Sequence, residues 1–246
     1  LWTVPASTAT EPPRSGPRLA PAAPGHRDEP GPADPPRGGR PRHRGGGREP
    51  RQGHRRPAQP VLIGHSFGGL LAEKLLGQDI GVAAIAIDAA PIKGVLPLPL
   101  SSLRVTLPVF KNRANKHKAV SLTSDQFHYG FGNALDRAES DELFDRWSIP
   151  SPGRPLCEAA AANFSPHSPA AVHTDNEQRG PLLLIMGGQD HTVPEAITKS
   201  TLKQYRHSSA ETDLVEFADR GHSLVVDHGW REVADACLTW LRGHDL

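Results

Sequence analysis

Gly64-His65-Ser66-Phe67-Gly68, with Gly69 following, sets a serine between glycines at the junction of an apolar run and a helix-forming run. A serine on a sharp strand-to-helix turn projects its hydroxyl into a cleft. Small residues two before and two after it avoid the neighbouring strand and helix, and the helix N-terminus beneath favours an oxyanion. The pentapeptide alone is also compatible with an ordinary Gly-rich turn; its place between strand and helix is what points to chemistry. Such a nucleophile needs a base to take its proton and a carboxylate to orient the base. Both follow downstream, acid first: Asp190 in Gly187-Gly188-Gln189-Asp190-His191-Thr192-Val193-Pro194, and His222 in Asp219-Arg220-Gly221-His222-Ser223. On this reading Ser66 attacks a carbonyl, His222 takes and later returns the proton, and Asp190 orients the imidazole. Asp88, directly after the apolar run VAAIAID, is the competing acid. His191 and His228 compete for the base, but neither lies in a loop straight after a strand with Gly just before it.

These residues need elements that carry them to one edge. Residues 60–64 (PVLIG) read as a short buried strand entering the turn, and 68–76 (GGLLAEKLL) as the helix leaving it. Residues 82–88 (VAAIAID) and 181–187 (PLLLIMG) are nearly all apolar, as expected of parallel strands covered on both faces. Residues 195–207 read as a helix, 212–217 (TDLVEF) as a strand, and 230–242 as an amphipathic helix with apolar positions at 230, 233, 234, 237, 238 and 241. The alternation predicts an α/β fold, an open, mostly parallel sheet flanked by helices. Ser66, Asp190 and His222 then all sit just past strand ends, the edge where open α/β sheets place their sites. The interval of about 91–178 is Pro-rich at its joints and carries short helical patterns at 133–147 and 156–164. It reads as a mainly helical lid insertion.

The first 59 residues are different. They hold 13 of the 25 Pro and 11 Arg, with no Lys, Asn, Ile, Phe, Tyr or Met. Such a segment buries too little surface to offset the entropy of ordering its backbone, about 1–2 kcal/mol per residue, and is expected to be disordered. Its composition is that of GC-rich codons, so an out-of-frame reading is one explanation and a genuine Pro/Arg/Gly-rich tail the other. It carries a net charge of +6, whereas residues 60–246 carry 17 basic against 22 acidic residues. The arm lacks the aromatic and Lys content that shapes a nucleic-acid site, so no nucleic-acid partner is expected. Cys157 and Cys237 are too few for a disulfide framework and lack metal-ligand spacing. With no membrane-span-length apolar run and no secretory signal, the expected location is cytoplasmic.

The pieces VLIGHSFGG, VAAIAIDAAP, LLLIMGGQDHTVP and FADRGHSLVVDHGW together resemble the α/β-hydrolase fold superfamily, in its lid-bearing esterase-like, peptidase-like and perhydrolase-like branch, over about residues 60–246. The resemblance implies acyl transfer on a small-molecule acyl substrate without metal or cofactor. Ser66, Asp190 and His222 are the catalytic residues, the backbone N–H of Phe67 is an oxyanion donor, and Gly64, His65 and Gly68 shape the elbow. A serine at the elbow counts against haloalkane dehalogenase and epoxide hydrolase chemistry, whose relatives use Asp there. It also implies strands before residue 60 and a loop bearing a second oxyanion donor, and residues 1–59 contain neither pattern. A missing donor of this kind typically costs about 2.7–4 kcal/mol of transition-state stabilisation. A catalytically impaired relative acting as a binding module is therefore the alternative function. Phe110, Phe127, Tyr129, Phe131, Phe144, Trp147 and Phe164 are candidates for lining an apolar pocket under the lid or for packing it, and Phe67 for a pocket wall. Substrate identity and oligomeric state are not legible.

Overall fold

The structure, a computed structural model, describes residues 59–96 and 99–246. The expectations for residues 1–58 lie outside the described residues. A parallel sheet of four strands runs in the order β1 (Val61–His65), β2 (Ala83–Ile87), β5 (Leu182–Gly187), β6 (Thr212–Phe217). The helices α1 (Phe67–Leu76), α6 (Glu195–Gln204) and α7 (Trp230–Gly243) flank it. The strands and helices expected around the sheet are present, all but one of them within one or two residues. The helix expected over 195–207 ends as α at Gln204 and tightens into a 3-10 turn at Tyr205–His207.

The strand residues decide which helix covers which face. In β2, Ala84 and Ala86 point with Leu182 and Leu184 toward Ala72 and Leu76 of α1, and Tyr205 just past α6. Small side chains there let the helices sit close to the sheet. Ile85 and Ile87 point the opposite way, with Leu183, Ile185 and Phe217, onto Val233 and Cys237 of α7. The two central strands are buried on both faces, as their unbroken apolar runs require. Among the described residues β1 pairs only with β2, and its Ile63 is 59% exposed.

Helix α7 is amphipathic as expected, but it buries only part of its apolar set. Val233, Ala236, Cys237, Trp240 and Leu241 face the core, while Trp230 and Leu238 are exposed. Trp240 is held inward: its indole N–H donates to Asp213 on β6 at 2.6 Å, so an amphipathic ring fills the seam. Burial pushes the Cys237 thiol up to about 11.

Between β2 and β5 lie α2 (Leu100–Phe110), α3 (Ser124–Gly130), α4 (Arg137–Trp147) and α5 (Arg154–Ala160). A two-residue antiparallel pair, β3 (Ala119–Val120) with β4 (Ser151–Pro152), ties the segment together. It is mainly helical, as expected, but α2 and α3 were not anticipated. The pattern expected over 133–147 becomes a helix only at Arg137, capped by Asp136 accepting from the N–H of Glu139. Phe127, Phe131, Phe144 and Trp147 pack with Leu122 and Leu143 in this segment's own core, whereas Phe110 and Phe164 are exposed.

One buried acid lies away from the strand ends that bear the site. Glu73 of α1 is buried, and its carboxyl accepts from the Tyr205 hydroxyl at 2.8 Å. Burial, only partly offset by that bond and by the charge of Arg179, pushes its carboxyl up to about 8. The neutral form is thus favoured in the folded chain. Its contribution to stability is complete below the ordinary value of 4.5 and is lost as pH rises toward about 8. Unfolding free energy is expected to fall across that window by up to about 1.4 kcal/mol per pH unit. Glu73→Gln, which keeps an acceptor for Tyr205, should flatten the slope in denaturant titrations made at several pH values.

Candidate active site

Ser66 lies between β1 and α1 with φ 55° and ψ −119°, a left-handed backbone position that a non-glycine residue occupies only when its surroundings impose it. Here they do. The Ser66 N–H donates to the Ile87 carbonyl at 2.9 Å, and the Ser66 carbonyl accepts from Ala90 N–H at 2.9 Å and Leu70 N–H at 3.2 Å. The serine is pinned between β2 and α1.

Gly64 is sterically required, because a Cβ there would lie 2.0 Å from the Gly68 carbonyl oxygen. The expectation for Gly68 needs correction: a Cβ on Gly68 would meet open space. The second close approach is at Gly69, where a Cβ would come within 2.7 Å of the Ala89 Cβ. Packing of α1 on the chain leaving β2 sets that constraint, and the spacing around the serine does not reveal it. Phe67 is the first residue of α1, so its N–H is among those a helix leaves without an internal acceptor. Its side chain packs against the apolar cluster that includes Leu70, Ile92 and Ile197.

Asp190 and His222 meet because the loops after β5 and β6 lie against each other. A Cβ on Gly187 would be 2.7 Å from the Arg220 carbonyl, and one on Gly188 would be 2.6 Å from the Ala218 carbonyl. Glycine at both places lets Gln189 N–H donate to the Arg220 carbonyl at 2.9 Å. The loop bearing His222 is braced by Arg220, which pairs with buried Asp227. Neither residue of this brace was anticipated; the only trace in the sequence is a basic and an acidic residue flanking the histidine.

The carboxylate of Asp190 is fully engaged. Oδ1 accepts from the N–H groups of Thr192 at 2.6 Å and Val193 at 2.9 Å, and Oδ2 accepts from His222 Nδ1 at 2.6 Å. Burial alone would raise its pKa. The charge and hydrogen bond of His222, with the Val193 N–H, outweigh burial and hold Asp190 below the ordinary carboxylate value. The bond to a carboxylate puts a proton on His222 Nδ1, so in the neutral ring Nε2 carries none. That atom is buried and has no partner among the described residues. A buried, unprotonated ring nitrogen is a proton acceptor awaiting a donor.

His65 stabilises this arrangement from beside the serine. Its ring lies 4.6 Å from that of His222, and its Nε2 is 2.9 Å from the His222 carbonyl. A carbonyl only accepts, so His65 carries its proton on Nε2. Burial, then the charge of His222, depress its pKa to about 3, and it stays neutral. Phe131 closes another side, its ring centroid 5.0 Å from that of His222 with the planes at 76°.

Asp88, the competing acid, is also here. Oδ1 accepts from Gly187 N–H at 2.7 Å, while Oδ2 stands 4.0 Å from His222 Nδ1. Burial, then the neighbouring charge of Asp190, push Asp88 well above the ordinary carboxylate range. Two carboxyls share the site, and their surroundings drive them apart: Asp190 toward the ionised form and Asp88 toward the neutral one. His191 and His228 stand elsewhere, the first bonded to the Tyr129 carbonyl and the second to Glu139.

His65, Asp88 and His222 offer ligand atoms within 4.8 Å of one another, as do Glu211, Asp213 and His244. In the first group His65 Nε2 and His222 Nδ1 already have acceptors, and in the second Asp213 accepts from Trp240.

A family model described as the alpha/beta hydrolase family matches residues 4–236. Over 64 residues the chain is 28% identical to an Escherichia coli (strain K12) protein named provisionally as a carboxymethylenebutenolidase; the match takes in 26% of this chain and 23% of that protein, so it spans under a quarter of that curated relative. Among solved structures, a lipase-esterase related protein from Clostridium acetobutylicum superposes with a TM-score of 0.52 at 14% identity, over 74% of this chain and 66% of the other. A variant of polyneuridine aldehyde esterase gives 0.50 at 16% identity, over 75% and 72%. At such identities the likeness speaks to the fold.

Proposed function

The chain belongs to the alpha/beta hydrolase family, and from that premise we propose that it is a serine hydrolase that cleaves an ester or related acyl carbonyl through an acyl-enzyme on Ser66. The observation that carries this reading is the Asp190–His222 pair, whose bare Nε2 is buried beside the residue preceding Ser66. In the first step His222 Nε2 takes the Ser66 proton as Oγ attacks the carbonyl carbon. The oxyanion draws on the Phe67 N–H and the positive end of α1. The tetrahedral intermediate collapses, and the imidazolium, held by Asp190, returns the proton to the leaving group. Water then repeats the sequence on the acyl-enzyme and frees the acid. The names of the structural relatives, an esterase and a lipase-esterase related protein, favour acyl esters as the substrate class. On this reading the helices between β2 and β5 serve as a lid over the site. They are tied to the acid loop where Thr192 Oγ1 donates to the Gly130 carbonyl at 2.6 Å and Asn133 donates to the Gln189 carbonyl at 2.7 Å.

A fluorophosphonate probe tests the proposal, since it reacts only with an activated serine. We expect stoichiometric labelling of the folded chain, lost in Ser66→Ala. Absence of labelling in folded protein would instead favour a binding protein that retains the family's fold.

A further inference from the structure

Helix α2 exposes an apolar stripe. Leu100, Leu103, Leu107 and Phe110 recur at intervals of three and four residues, so they share one helix face, and they are 84%, 45%, 58% and 40% exposed. The other side of α2 is satisfied. Ser102 donates to the Thr192 carbonyl at 3.0 Å, and Pro108 and Val109 are buried. A helix with its inner side bonded to the acid loop and four large apolar side chains in water has a face awaiting a cover.

The charge around the stripe says what cover fits. The chain leaves α2 through a 3-10 turn at Arg113–His117, held to the helix end by Asn115, whose amide donates to the Pro108 carbonyl at 3.1 Å. Lys111, Arg113, Lys116 and Lys118 are all exposed along this connection. Not one Asp or Glu occurs between Asp88 and Asp125, although residues 60–246 as a whole are net acidic. A second copy laid on this face would bring no carboxylate to the four cations from that stretch. An anionic bilayer would supply both an apolar phase for the leucines and a negative surface for the lysines.

We propose that α2 and the basic turn after it form a peripheral docking face for anionic lipid bilayers, with the apolar stripe entering the interface and the cations meeting the headgroups. The face needs no membrane span; among the described residues no helix is long and apolar enough for one. The proposal is independent of the acyl-transfer reading, because it concerns binding alone.

Vesicle co-sedimentation of the full chain tests it. Vesicles of phosphatidylcholine with about three-tenths phosphatidylserine should bind at least about tenfold more tightly than phosphatidylcholine alone, and high salt should weaken the difference. Two independent variants on exposed positions, L103S with L107S and K116E with K118E, should each lower affinity for the anionic vesicles about tenfold or more. Failure of the chain to bind anionic vesicles overturns the proposal. So does binding that neither variant changes, which would assign the association to the Arg-rich first 59 residues. A concentration-dependent dimer abolished by the leucine substitutions, with vesicle binding unaltered, would identify the cover as a second copy and also overturn it.

Discussion

His222→Gln is expected to lower kcat/KM for an activated ester such as p-nitrophenyl acetate by about ten-thousand-fold or more. The substitution keeps an amide N–H able to donate to Asp190, so the buried carboxylate retains a partner and the loop after β6 keeps its brace from Arg220 and Asp227. It removes the one atom the reaction needs, a bare ring nitrogen able to take a proton from Ser66. Because nucleophile and base act as a unit, Ser66→Ala and the double variant should fall to nearly the same residual rate rather than to the product of two losses. Activity within about tenfold of the parent in either single variant would sink the acyl-enzyme mechanism.

Asp190→Asn is expected to cost about ten-thousand-fold, with little change in stability, through the tautomer of His222. The N–H groups of Thr192 and Val193 both point at Oδ1, so an amide at position 190 must keep its oxygen there. Its NH2 then faces His222 Nδ1, which can only accept from it, and the ring proton moves to Nε2. The base is thereby blocked with the geometry intact. Asp88→Asn makes the contrast. Its oxygen stays on Gly187 N–H, and its amide replaces a carboxyl that its surroundings already push toward the neutral form. That variant should lose less than about tenfold. Kinetics of the two variants side by side decide which carboxyl is the orienting acid; a larger loss at Asp88 would reverse the assignment.

The order of the candidate site residues is legible in the sequence because its signals are local. A strand, a Gly-flanked serine and a helix lie contiguous, and Asp190 and His222 each follow an apolar run within a few residues. Parallel strands buried on both faces are nearly pure apolar text, so β2 and β5 announce themselves. Helices α2 and α3 were not legible. The first starts at a proline and contains Pro108, and the second is only seven residues long, capped by Thr123 with Gln126. The periodicity of α7 is legible, but the inward place of Trp240 is not, because Asp213 on another strand holds it in the seam.

From the sequence alone come the chemical types, their order along the chain and the alternation that brings them to one edge of a sheet. Tertiary structure alone decides which of two carboxyls is hydrogen-bonded to His222, why Gly69 rather than Gly68 is sterically bound, and which face of α7 is buried. It also decides that His65 and Arg220 brace the base and that α2 leaves its leucines in water. The physical reason is range. Turn chemistry and hydrophobic period are set by neighbours within a few residues, whereas burial, close approach and charge coupling depend on atoms that meet only after the sheet has formed.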